Sequence, residues 1–92
     1  MQEKFTKSAK LALQSALDIA RELGHSYIGT EHLLLGILMQ SDCAATKMLE
    51  KSGVNFIKTR EIVIEVGGIF EPSHVKVSDM TPSLKKIIED LE

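Results

Sequence analysis

The stretch GHSYIGTEHLLLGIL, residues 24–38, sets a glycine, a threonine and a glutamate directly in front of an unbroken apolar run. A run that is apolar nearly all round, and far too short to cross a bilayer, reads as a helix buried on most of its faces. The residues ahead of it read as its start, with Thr30 as the N-cap and Glu31 in the first turn, where unpaired backbone N–H groups and the helix dipole favour a carboxylate. The helix is expected to run from Thr30 to about Gln40. Gly36 inside it costs about 1 kcal/mol against alanine, which marks a close crossing with another helix. The other reading of this mouth is a binding site.

On the N-terminal side, FTKSAKLALQSALDIARELG carries Ala9, Ala12, Leu13, Ala16, Ala20 and Leu23 at the spacing of one helical face. Thr6 is its expected N-cap and Gly24 its stop. Downstream, Ser41 or Asp42 is placed to cap a short third helix, CAATKMLEKS, closed by Gly53, with Ala45, Met48 and Leu49 as its inner edge. Asn55 caps a fourth segment, FIKTREIVIEVGG, whose β-branched Ile62, Val63, Ile64 and Val66 fit a strand almost as well as a helix. Propensity does not decide between the two. Gly67 and Gly68 end that segment, and IFEPSHVKVSD reads as a connecting loop in which Pro72 forbids helical continuation.

MTPSLKKIIEDLE then opens a last helix, with Thr81 as N-cap and Pro82 at the first helical position. It echoes the first: Thr6, Ser8 and Lys10 recur 75 residues later as Thr81, Ser83 and Lys85, while Ala9, Ala12, Leu13 and Ala16 become Leu84, Ile87, Ile88 and Leu91. Amphipathic helices share the apolar spacing, so only the three identities speak for a repeat.

Composition bounds the chemistry. Ninety-two residues make one small domain, which buries roughly two-thirds of the surface its unfolded chain exposes. Hydrophobic residues reach 43% but aromatics only 4%, with no Trp, so the core must be built from Leu, Ile, Val, Ala and Met, the usual filling of helical packing. Eleven basic and thirteen acidic residues leave a net charge of −2. With no basic cluster to neutralise a row of phosphates, nucleic acid is not an expected partner. Cys43 is the single cysteine, which excludes an intrachain disulfide and fits a reducing, cytoplasmic setting. The start MQEKFTKSAK is polar and charged where a signal peptide would need an apolar stretch, and no apolar run approaches the ~20 residues that span a bilayer, so neither targeting nor membrane association is expected.

Candidates for reaction chemistry are sparse. His25 and His32 flank the motif without an H-E-x-x-H pattern or a second ligand cluster, so His32 reads as a helix-face residue hydrogen-bonded locally and His74 as a loop residue. Cys43 carries no sign of activation, Ser8, Ser83 and the threonines have no base or oxyanion partner, and Gly67-Gly68 is no phosphate loop. No catalytic residue, metal ligand or cofactor is expected in this chain.

The stretch LGHSYIGTEHLLLGIL, preceded by FTKSAKLALQSALDIARE and continued by AATKMLEKSGV, resembles the first repeat of the Clp N-terminal domain. That domain is the accessory module at the front of bacterial and plastid Clp AAA+ unfoldases, and the chain is most similar to the ClpC branch. The resemblance implies an all-α fold, a compact bundle of four to five short helices, and takes the fourth segment as helix. It divides the chain into a first repeat over 1–66, a linker over 67–79 and the first helix of a second repeat over 80–92.

The resemblance also implies recognition of substrate proteins and adaptor proteins for Clp ATPase modules and, in some members, of phosphorylated arginine. The family residues implicated there correspond to Thr6 and Glu31, with Thr30 beside them at the mouth and Thr81 as a partial second site. The chemistry suits such a ligand: helix N–H groups and a threonine hydroxyl take the phosphoryl group, while a glutamate takes the guanidinium by charge-assisted hydrogen bonds worth roughly 1.5–3 kcal/mol. The plain reading makes Thr6 and Thr30 ordinary N-caps and Glu31 an ordinary first-turn acid. Burying each of Leu84, Ile87, Ile88 and Leu91 is worth roughly 1.5–3 kcal/mol. The last helix is therefore expected to fold back on the first repeat or to pair with a second copy; the alternative function is a standalone half-domain that homodimerises to complete a two-repeat module.

Overall fold

A computed structural model describes residues 7–40 and 43–91. Thr6, expected as an N-cap and a site residue, and Ser41 and Asp42, expected as caps, lie outside the described residues. Among the described residues five α-helices follow in order: α1 (Lys7–Glu22), α2 (Thr30–Leu38), α3 (Ala44–Lys51), α4 (Phe56–Gly67) and α5 (Pro82–Leu91), with a 3₁₀ turn at Val77–Asp79 before the last. The chain is all-α, and the ambiguous fourth segment is a helix. Asn55 caps it as expected, its Oδ1 accepting the Lys58 N–H at 2.9 Å. Its β-branched residues divide by environment: Val63 is buried, while Ile62 and Val66 face solvent at 59% and 84% exposure. A strand's alternation would have required a partner strand to receive it.

Helix α1 is the axis of the core because it carries two buried flanks. Ala16, Leu17 and Ala20 cluster with Ile28, Val75 and Leu84, and Ile19 and Leu23 cluster with Leu35 and Val63. The expected face held Ala12, Ala16, Ala20 and Leu23, all buried, but it omitted Leu17 and Ile19. A single stripe at helical spacing describes a helix covered on one side; α1 is covered on two. Gly36 is where α2 crosses it, since a Cβ there would run into the Ala12 carbonyl oxygen and lie 3.1 Å from the Ala16 amide nitrogen. Gly24, at φ +75, stops α1 in the left-handed conformation that glycine adopts without cost.

Helix α3 corrects two expectations. Its N-cap is Cys43, and its inner edge is Thr46, fully buried with its hydroxyl donating to the Ile37 carbonyl at the end of α2. Ala45 and Met48 are exposed, Met48 by 70%, and Leu49 is half-buried. The Ile37 carbonyl at the end of α2 already takes the Gln40 N–H at 2.9 Å, and Thr46 adds a second donor to it by turning a polar side of α3 inward.

Residues 69–81 form a strap along the C-terminal end of α1. Phe70 N–H donates to the Leu23 carbonyl (2.9 Å), Ser73 N–H to that of Arg21 (2.9 Å), and Arg21 Nε to that of Val75 (2.8 Å). Val75 is 4% exposed and belongs to the core. The strap then runs beside the chain that enters α2, where Ile28 and Met80 form an isolated parallel bridge: Ile28 N–H donates to Asp79 at 3.1 Å and Thr81 N–H to Ile28 at 2.9 Å. Helix α5 folds back on α1 with Leu84 fully buried, Ile88 packed against the same cluster and Ile87 40% exposed. No helix among the described residues is long and apolar enough to cross a membrane.

Candidate recognition site at the mouth of α2

The N-cap of α2 is Gly29, not Thr30: Thr30 is the first helical residue and is exposed. His32, at the third helical position, takes the part that a Glu or Gln plays in a capping box. Its N–H donates to the Gly29 carbonyl at 3.1 Å, and its Nδ1 accepts the Gly29 N–H at 2.9 Å. That single backbone donor fixes the protons of everything behind it. With Nδ1 accepting, a neutral His32 carries its proton on Nε2, which lies 2.7 Å from His25 Nδ1. His25 Nδ1 then accepts, so the His25 proton sits on Nε2, which donates to the Gly68 carbonyl at 2.9 Å.

The result is a directed relay from the start of α2 to the end of α4. Both rings lie in the core, at 3% and 0% exposure, and all four ring nitrogens are engaged. Burial holds His32 below its ordinary pKa of 6.5, reinforced by His25 and partly opposed by Glu31. Glycine at position 67 lets α4 approach, since a Cβ there would lie 3.2 Å from the His25 ring. Among the described residues no group of three or more His, Cys, Asp or Glu is placed to hold a metal.

Tyr27 joins this relay to Glu31. Its ring stacks on His25 (centroids 5.6 Å apart, planes 7° from parallel) and meets His32 edge-on at 5.2 Å. Its hydroxyl donates to Glu31 Oε2 at 3.0 Å. Burial, the hydrogen bond to Glu31 and that residue's charge together raise the Tyr27 pKa above 10.0. The Glu31 carboxylate lies back over Gly29, where a Cβ would collide with Oε1. It is half-buried and borders two apolar hollows, one lined by Tyr27, Ile62, Val63 and Val66, the other by Leu34, Val54 and Lys58.

Of the site residues expected from sequence, Thr30 and Glu31 share the mouth of α2, and Thr81 stands at the neighbouring mouth of α5, joined to it through Ile28. Thr81 Oγ1 accepts the Leu84 N–H at 3.2 Å, the N-cap role expected of it. Sequence reading missed Tyr27 and the pairing of His25 with His32. The only local sign was the spacing of four between Tyr27 and Glu31, which straddles the helix start and so escapes a helical template.

Comparison with known proteins agrees with this architecture. Residues 4–92 match the family described as the Clp repeat (R) N-terminal domain. The chain is 35% identical over 91 residues to the negative regulator of genetic competence ClpC/MecB of Bacillus subtilis, covering 95% of this chain and 11% of that protein. It is 35% identical over 94 residues to the chaperone protein ClpB of Oceanobacillus iheyensis, covering 95% of this chain and 12% of that one. A ClpA homolog of Guillardia theta, an ATP-dependent Clp protease ATP-binding subunit, is 45% identical over 64 residues, 70% of this chain and 8% of its own length. The chain thus spans about a tenth of the relatives it matches. With its α1–α2 crossing at Gly36 and its G-T-E-H mouth, this chain belongs to the Clp repeat N-terminal domain family.

Proposed function

We propose that this domain is a recognition module, binding substrate and adaptor proteins on behalf of a Clp ATP-dependent unfoldase, with no catalysis of its own. In the finer form of the proposal, Glu31 takes the guanidinium of a phosphoarginine-marked protein, and Thr6 and Thr30 are the candidates for its phosphoryl group. The observation that carries this reading is the Glu31 carboxylate itself, half-buried, oriented by Tyr27 and bordered by apolar hollows at a helix mouth. A preoriented carboxylate loses little freedom when it meets a cation, which favours a charge-assisted pair. One such site supports affinity of about micromolar order.

Titration with free phosphoarginine, followed by backbone amide shifts, tests the proposal. Shifts near Glu31 that vanish in Glu31→Ala are expected; no response, or one unchanged in the variant, removes phosphoarginine and leaves adaptor docking. The second reading, a homodimer through α5, draws on the exposed Ile87. Sedimentation over a range of concentrations separates the two, a strictly monomeric chain excluding the dimer.

A further inference from the structure

We propose that Tyr27 is the positioning residue for Glu31 and that the His25–His32 relay controls it, so that one added proton releases the carboxylate and weakens ligand binding. This rests on the reading of Glu31 as the recognition carboxylate. The relay has three contacts, Gly29 to His32, His32 to His25 and His25 to Gly68, and each holds one proton, the first from the Gly29 amide and the other two from the neutral rings. A fourth proton has no acceptor. It must set two N–H groups against each other, either at Gly29 and His32 Nδ1 or between the two rings, and a buried donor without an acceptor is costly.

Tyr27 reports that event to the surface because it rests on both rings, stacked on one and edge-on to the other. When the rings part, the hydroxyl loses its place 3.0 Å from Glu31 Oε2. A second effect acts in the same direction. Charged His32 attracts Glu31, the neighbour that already favours its proton, and so competes with a ligand cation for the same carboxylate.

The surroundings offer little to offset this. From the turn after α1, His25 opposes a proton on His32. From α4 come the Gly68 carbonyl and the close approach at Gly67, and from the strap comes the Ser73 hydroxyl, which donates to the His25 carbonyl at 2.7 Å. Arg21 is engaged with the Val75 carbonyl and Arg60 with Glu22, while Lys58, Glu61, Glu65, Glu71 and His74 are exposed.

The experiment compares the wild-type chain with Tyr27→Phe, which keeps the ring and removes the hydroxyl, and with Gly29→Ala, which keeps Glu31 and displaces it. In each, the Glu31 side-chain carboxyl resonance and the affinity for free phosphoarginine are followed from neutral pH downward. In the wild type, the Glu31 resonance is expected to move in step with the ring resonances of His32 below pH 6.5. Tyr27→Phe should uncouple the two and weaken binding about tenfold at neutral pH with unchanged thermal stability. Relative to Tyr27→Phe, which cancels the ligand's own ionisation, wild-type affinity should fall by about the same factor as His32 charges. Gly29→Ala should weaken neutral-pH binding in the same way.

A Glu31 resonance indifferent to the rings, or wild-type affinity in Tyr27→Phe, overturns the proposal. If the wild type binds no phosphoarginine at neutral pH, the ligand assignment above fails instead. The Glu31 resonance then decides the relay by itself.

Discussion

Two helices of this domain start side by side, and they are closed in different ways. At the mouth of α5, Thr81 caps with its own hydroxyl and Pro82 follows at the first helical position, so the whole device occupies four residues. At the mouth of α2, a threonine stands one residue too late to cap. Gly29 takes the N-cap position, with His32 satisfying its N–H and the connection continuing through His25 to Gly68. The α5 start is local and independent of the rest of the fold. The α2 start is part of the core, and it ties α1, α2 and α4 together through two buried rings.

That contrast makes unequal demands on mutation. His32→Ala should be the most damaging change, because it strands the Gly29 N–H and His25 Nδ1 and empties a fully buried site. A loss of about 3 kcal/mol or more in denaturant unfolding is expected, and a loss below that of Thr81→Ala would break the comparison. Acid acts on the same contact. The folded-state pKa of His32 lies below its ordinary 6.5, so as pH falls the unfolded chain takes up the proton first. Stability from this source is therefore complete above pH 6.5 and is lost as pH drops from there through the folded-state value. Denaturant midpoints measured over that span should fall in the wild type and lose most of this slope in a His32→Gln variant.

Thr81→Ala should cost about 1 kcal/mol, the usual worth of a side-chain N-cap, and its effect should not vary with pH between neutrality and the carboxylate range. Thr30→Ala is the smallest of the set. An exposed first-turn residue without a capping bond should shift stability by no more than about 0.5 kcal/mol. A Thr30→Ala cost equal to that of Thr81→Ala would mean that Thr30 caps α2 after all.

The same contrast explains what could be read in advance. Gly24 stopping α1, Asn55 opening α4, Gly68 closing it at φ +81 and Thr81 opening α5 were all legible, because each is decided by neighbours a few residues away. The strap's Val75, the inward Thr46 and the second buried flank of α1 were not, because each answers to a surface brought up from elsewhere in the chain. Helix α4 is the intermediate case: its β-branched run leaves propensity undecided, the family resemblance takes it as helix, and in the fold Val63 packs against Leu35 and α1.

The candidate site divides along the same line. Glu31 stood out as an acid at a helix mouth, while the residues that aim it came from outside the helical template. Tyr27 and His25 precede the helix, and their ring stacking and the bond to Gly68, forty-three positions from His25, exist only in the fold.

The protonation state of the two rings tests this account most directly. A long-range proton–nitrogen spectrum of the histidine side chains at neutral pH should show His25 and His32 both neutral, each protonated on Nε2 and bare on Nδ1. Either ring charged at that pH, or carrying its proton on Nδ1, would contradict the relay and with it the link from the core to Glu31.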